Sequence, residues 1–142
     1  MCRIEAAQQL RRLHRINIPQ DQIIHLRGVH HFVFEEMILT ALKKRGYKIK
    51  RNKRYSGDGG IDGQVIINGQ HYLIQAKRYK NHINPAHVQS FAGICKKRGS
   101  RGLFVHTGKT GQKSRQIAQN ENIEMISGDR LLNMLVIVKQ KQ

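Results

Sequence analysis

Asp62, Gln75 and Lys77 are the residues of this 142-residue chain whose types and spacing fit hydrolytic chemistry at a metal ion. Residues two apart on a strand face the same side, so Gln75 and Lys77 project together. The Asn68-Gly69 pair is a strong tight-hairpin signal, and the hairpin brings Asp62, at the start of the partner strand, beside them. A carboxylate next to a carbonyl-oxygen ligand suits Mg²⁺, a hard cation that prefers oxygen. An ammonium beside such a metal can orient a water or balance charge on a phosphate. The loop Ser56-Gly57-Asp58-Gly59-Gly60 runs directly into Asp62. Its glycines let the backbone approach a phosphate closely and present amide groups to it.

The elements that must position these groups follow from periodicity and punctuation. Residues 3 to 15 read as a helix, with Ile4, Ala7, Leu10 and Leu13 on one stripe. Asn17 to Gln20, with Pro19, reads as a break. A second helix is expected from near Val29 to Arg45, its apolar face made of Phe32, Val33, Met37, Ile38, Ala41 and Leu42, with Gly46 closing it. Tyr47 to Lys53 alternates like an edge strand, Arg54 to Gly60 is a polar loop, and Ile61–Ile67 and His71–Tyr79 form the hairpin. Asn84 as N-cap and Pro85 at the first helical position start a helix that lasts to about Arg98 and ends at Gly99. Leu103–His106 is a short buried strand. Gln112–Asn120 is a polar helix with Ile117 and Ala118 inward, and Ile123–Ile126 is the last strand. A final helix capped by Ser127 packs through Leu131, Leu132 and Leu135. The order predicts an α/β fold: a mixed central sheet of about five strands flanked by helices on both faces.

Charge narrows the partner. Lys and Arg total 26 against 9 Asp and Glu, a formal +17 at pH 7, and a domain with so wide a positive field fits a polyanion. Nucleic acid is the expected partner, with Arg78, Lys80, Lys96, Lys97, Arg98, Lys109 and Lys113 as collective phosphate contacts. No basic amphipathic helix stands apart from the fold, so a membrane surface is disfavoured, and the apolar stretch Leu131–Val138 is too short to span a bilayer. Charges at Arg3, Glu5, Arg11 and Arg12 interrupt the N-terminus, and Cys2 and Cys95 lack disulfide or metal spacing; both suit a cytoplasmic protein. His30 and His31 are adjacent and would diverge by about 100° on a helix, poor for one metal. His14, His25, His71, His82 and His87 show no ligand spacing and read as surface or DNA-facing groups. His106 ends a strand near the expected site, within reach of a phosphate. Gly108-Lys109-Thr110 lacks the glycine spacing of a phosphate-binding P-loop.

Phe34-Glu35 on a helix ending at Gly46-Tyr47, then Ser56-Gly57-Asp58-Gly59-Gly60-Ile61-Asp62, then Gln75-Ala76-Lys77-Arg78-Tyr79, resembles the Mrr-type restriction endonuclease domain of the PD-(D/E)xK nuclease superfamily. The likeness continues through Val88-Gln89-Ser90-Phe91-Ala92-Gly93, Gly102-Leu103-Phe104-Val105-His106-Thr107 and Ile126 to Leu135, so it covers residues 29 to 136. The resemblance implies a restriction-endonuclease-like core and a metal-dependent DNA endonuclease that uses Mg²⁺, with Mn²⁺ expected to substitute. It makes Asp62 the central metal-binding carboxylate and Lys77 the catalytic lysine. Gln75 stands where many superfamily members carry an acid, and the Ala76 carbonyl faces the metal. Glu35, rather than Glu36, reaches the site directly or through a metal-bound water, and Asp58 helps hold the loop. Ser56, Gly57 and Gly59 join the DNA contacts. Gln75 in place of Glu or Asp is a departure from the broad superfamily pattern, and one fewer carboxylate weakens metal attraction.

Two other readings share these residues: a structure-specific nuclease such as a Holliday-junction resolvase, and a DNA-binding module with an impaired site. Residues 1–28 read as a helical extension and 29–142 as the catalytic domain. With so short an extension, target choice comes from a separate recognition partner, comes from dimerisation or is absent; a homodimer also fits the two sites that cutting both strands needs.

Overall fold

A computed structural model describes residues 2–51 and 61–136. Three helices come first: α1 (Cys2–Arg15), α2 (Pro19–Gly28) and α3 (His31–Lys44). Then follow β1 (Lys48–Arg51), β2 (Gly63–Ile67), β3 (Gln70–Lys77), α4 (Pro85–Arg98), β4 (Arg101–His106), α5 (Gln112–Asn120), β5 (Ile123–Ile126) and α6 (Gly128–Leu135). The strands form one sheet in the order β1-β2-β3-β4-β5. β1, β2 and β3 are antiparallel, whereas β3, β4 and β5 run parallel through helical crossovers. This is the expected mixed sheet of five strands.

The two sheet faces are covered by different helices. Val65, Ile74, Leu103, Val105 and Ile126 pack with α1, α2, α3 and α6. Leu73, Phe104 and Ile123 pack with Val88, Phe91, Ala92 and Cys95 of α4 and Ala118 of α5. The alternation Leu103, Phe104, Val105 between the two cores is the strand period at work. In the hairpin turn, Asn68 and Gly69 have φ of 52° and 79°, the left-handed pair of a tight two-residue turn. That turn fixes the register in which Gly63 faces Ile74.

Four local expectations need correction. Pro19 does not break the chain; it occupies the first turn of α2, a helix absent from the sequence reading. Proline is tolerated there because its missing N–H would be unpaired anyway, and α2 buries only Gln22 and Leu26, too little for a visible stripe. Gln22 instead donates from Nε2 to the carbonyls of Leu13 and Ile16 at 3.0 Å, closing the end of α1. The α1 stripe is Ala6, Leu10 and Leu13, with Ile4 66% exposed. On α3, Phe32 is exposed, and Phe34 and Leu39 are buried along with the expected residues. Ser127 stands at the N-cap of α6 but makes no side-chain cap bond.

Candidate active site

Strand β3 carries its apolar residues only as far as the sheet's interior needs them. Leu73 and Ile74 are buried one on each face, after which Gln75, Ala76 and Lys77 approach the strand's C-terminal end. There Gln75 lies opposite Phe104 and Lys77 opposite His106. Asp62 immediately precedes β2 rather than opening it. Its N–H still donates to the Ile74 carbonyl at 2.7 Å, and its Oδ2 accepts from the Ala76 N–H at 2.7 Å. The hairpin therefore sets the carboxylate against the backbone between Gln75 and Lys77.

Helix α3 approaches the same strand end. Glu35 and Glu36 are neighbours, and the structure separates them. Arg51 Nε lies 3.0 Å from each oxygen of Glu36. Glu35 turns to Asp62 and shares a hydrogen bond with it. Glu35, Asp62, Gln75, Ala76 and Lys77 line one cleft of about 360 Å³, together with His31, Phe34, Arg78, Tyr79 and His87.

The electrostatics of the carboxyl pair follow from burial. Glu35 is pushed up to about 8, first by desolvation and then by the Asp62 charge and hydrogen bond, with Arg78 opposing. Asp62 is also raised by burial, but the Ala76 N–H, Glu35 and Lys77 all favour its charged form. Without a cation the shared proton therefore sits on Glu35, and Asp62 is the carboxylate. Among the described residues no group of three His, Cys, Asp or Glu is clustered to hold a metal. Two carboxyl groups and a buried glutamine amide offer hard oxygen donors, whose chemistry fits a hard divalent cation better than a soft metal.

Other residues singled out from the sequence fall differently. Ser56, Gly57, Asp58 and Gly59 lie outside the described residues. Arg78 lines the cleft, but its Nη1 donates to the carbonyls of Val29 at 2.6 Å and Arg27 at 3.3 Å. Lys80, Lys109 and Lys113 are exposed. Lys109 is tied into the site end of the sheet, its backbone bonded to Asn81 and Ile83. Lys96, Lys97 and Arg98 do not join them. Helix α4 starts after the C-terminal end of β3 and ends before the N-terminal end of β4, so its last turn is carried to the opposite end of the sheet. There Lys96 shares a hollow with Gln70 and Arg101. His106 does not reach solvent. It is fully buried, and burial lowers it to about 4. Its Nδ1 accepts from Gly108 N–H at 3.0 Å, so Nε2 carries the proton and faces Thr110 Oγ1 at 2.9 Å. It holds a turn.

His31, Tyr79 and His87 also line the cleft, although sequence reasoning assigned none of them a site role: Tyr79 stood only within the family motif and His87 only among surface or DNA-facing histidines. His31 stands one helical turn before Glu35, a spacing that shares a face. Tyr79 lies two residues past Lys77.

Gly108 is fixed by the same architecture. A Cβ there would stand 2.2 Å from the Asn81 carbonyl oxygen and 2.7 Å from Tyr79 Cβ. Gly108→Ala is expected to cost about 2 kcal/mol by overpacking, measured by urea unfolding. Unfolding unchanged from wild type would show that the two loops yield freely.

The restriction endonuclease family model, that of the Mrr catalytic domain, matches residues 26–135. The chain belongs to this family. No curated protein matches it. Among solved structures, the chain is similar to the MspJI restriction endonuclease in complex with a 27-mer oligonucleotide, at 22% identity and a TM-score of 0.56 over 82% of the chain. The match spans 30% of the MspJI chain. A crystal structure of AF1548, a protein of unknown function, matches at 14% identity and a TM-score of 0.58, covering 80% of this chain and 73% of that one. Both likenesses concern the fold.

Proposed function

We propose that this chain is the catalytic unit of a DNA endonuclease that hydrolyses phosphodiester bonds with a divalent cation, Mg²⁺ or Mn²⁺. One observation carries the reading: Glu35, Asp62, Gln75 and Lys77 line a single cleft in a chain of formal charge +17 that belongs to the restriction endonuclease family. Asp62, Gln75, the Ala76 carbonyl and Glu35, the last directly or through a water, would hold the cation. When bound, a metal ion polarises the phosphate and lowers the pKa of an attacking water. Lys77 sets its ammonium beside the phosphate, balancing charge that grows as the water attacks. Burial raises Asp62, but the Ala76 N–H and Lys77 favour its charged form against that, which keeps the cleft attractive to a cation.

The catalytic domain is assigned to residues 29–142, with 1–28 an extension whose α1 packs on α3. Among the described residues no helix is long and apolar enough to cross a membrane. Cutting both strands calls for two such sites, hence a homodimer, and target choice falls to that dimer or to a recognition partner.

The test is nicking of supercoiled plasmid by purified protein with Mg²⁺ or Mn²⁺, beside an EDTA control and a four-way junction substrate. Metal-dependent nicking of plasmid supports the reading. Cleavage confined to the junction would replace it with a structure-specific nuclease. Tight, salt-sensitive binding without cleavage would leave a DNA-binding module.

The surface cations near the cleft act through phosphate neutralisation. Lys109→Ala combined with Lys113→Ala should reduce the slope of log affinity against log salt by about two, measured by fluorescence anisotropy on a duplex. An unchanged slope would remove these lysines from the DNA path.

A further inference from the structure

The cleft wall carries a second polar unit that the carboxyl–lysine group does not use. Tyr79, just past the end of β3, and His87, in the first turn of α4, both line it, and the Tyr79 hydroxyl is hydrogen-bonded to His87 Nδ1. Tyr79 is held rigidly. Thr107 Oγ1 accepts from its N–H and donates to its carbonyl, both at 2.9 Å. Its ring meets His106 edge-on at 6.1 Å. The loop at Gly108 closes over its Cβ.

The direction of the Tyr79–His87 bond can be worked out. The phenol is raised by burial and partly restored by a backbone hydrogen bond at Asn84. A phenol O–H is a stronger donor than a neutral imidazole N–H, and an imidazole nitrogen is a stronger acceptor than a phenol oxygen, so the Tyr79 hydroxyl donates to His87 Nδ1. A histidine that accepts at Nδ1 carries its proton on Nε2 in the neutral form. The imidazole is thus fixed in one tautomer on a half-buried cleft wall, with Nε2–H as its remaining donor.

We propose that His87 is a substrate-contacting residue whose Nε2–H donates to a phosphate oxygen of the strand in the cleft, with Tyr79 as the positioning residue that sets its tautomer. The idea rests on the endonuclease reading for the nature of the ligand, a phosphodiester. It adds a donor from α4, on a different element from Asp62, Lys77 and Glu35. A donor held in place before substrate arrives costs no reorganisation when charge develops on the phosphate.

The experiment measures kcat and KM for plasmid nicking with Mg²⁺ in His87→Ala, His87→Gln, Tyr79→Phe and the Tyr79→Phe/His87→Ala double variant, with Lys77→Ala beside them. Losing one hydrogen bond to a charged group predicts a fall in kcat/KM of about tenfold or more for His87→Ala. His87→Gln, which keeps an N–H donor, should recover most of it. Tyr79→Phe should lose less, and nothing further should be lost when it is added to His87→Ala, because Tyr79 acts through the imidazole. Wild-type kcat/KM in His87→Ala while Lys77→Ala is inactive would overturn the proposal and leave the endonuclease reading intact. Equal losses in His87→Ala and His87→Gln would also overturn it, pointing to packing alone. If the wild-type protein cuts nothing, the endonuclease reading fails separately. Duplex oligonucleotide affinity in EDTA then decides: about tenfold weaker binding by His87→Ala supports the contact, and equal binding overturns it.

Discussion

Lys77→Ala and Asp62→Asn should each lower plasmid nicking about a hundred- to a thousandfold while leaving the protein folded, the scale seen when one preorganised charge-stabilising group is removed. The two substitutions remove different things. Lys77 lies at the exit of β3, two residues beyond the buried Gln75, so truncating it takes away a cation and leaves the apolar interior of the strand untouched. Asp62→Asn keeps an oxygen that can accept from the Ala76 N–H, so the hairpin stays bonded while the carboxylate charge goes. Asp62→Ala would be the poorer probe, since it leaves a half-buried amide without its acceptor. Single-turnover nicking with Mg²⁺, alongside circular dichroism melting, measures both. Variants that melt normally and cut as fast as wild type would remove Asp62 and Lys77 from the chemistry.

Glu35→Gln should change how stability depends on pH, and the sign follows from the carboxyl pair. Glu35 titrates at 4.5 when unfolded and near 8 when folded. Between those values the native state holds a proton that the unfolded chain has released, so stability falls as pH rises through this window and levels off above it. At face value such a shift stores ~5 kcal/mol. The cleft is open to water, and screening reduces this to ~2–3 kcal/mol. Asp62, raised in the same direction, adds to the effect. In EDTA, wild type should therefore lose ~2–3 kcal/mol relative to Glu35→Gln between pH 5 and pH 8.5. Using the variant as reference cancels the titration of the many histidines. Added Mg²⁺ should stabilise wild type more at pH 8.5 than at pH 5, because a cation and the Glu35 proton compete for the same oxygens. Parallel curves for the two proteins would mean that Glu35 and Asp62 do not share a proton.

The cleft is built from two polar groups. The carboxyl–lysine group sits where the hairpin and α3 meet. The Tyr79–His87 pair sits where the β3 exit meets α4. Each is held by part-buried bonds between a side chain and the backbone: the Asp62–Ala76 bond in one case and the Thr107–Tyr79 pair of bonds in the other.

Much of the fold was written in local signals. Asn68-Gly69 dictates a tight turn, and the strand period then places Gln75 and Lys77 on one face beside Asp62. Asn84-Pro85 and Gly99 bracket α4 through cap chemistry, with Asn84 Oδ1 accepting from Ala86 N–H at 2.9 Å and Gly99 left-handed. These features depend on residues a few positions apart, so a linear reading can find them. The α2 helix escaped because its burial is supplied by α1 and α6 rather than by a stripe of its own.

The tertiary structure alone decided which chemically capable side chains are available. His106, at a strand end and adjacent to the motif in space, is buried and keeps a turn closed, while His87, unremarkable in sequence, lines the cleft. Glu36 is drawn off by Arg51 and Glu35 is left to Asp62. Lys109 stays at the site end of the sheet, and Lys96 to Arg98 are carried to the other end by the reversal through α4. The sequence by itself determined the hairpin, its register and the Asp62–Gln75–Lys77 constellation, because turn chemistry and strand period act over neighbouring residues. Burial, ion pairing and the direction in which a helix returns arise from contacts between distant segments, and those settled the rest of the site.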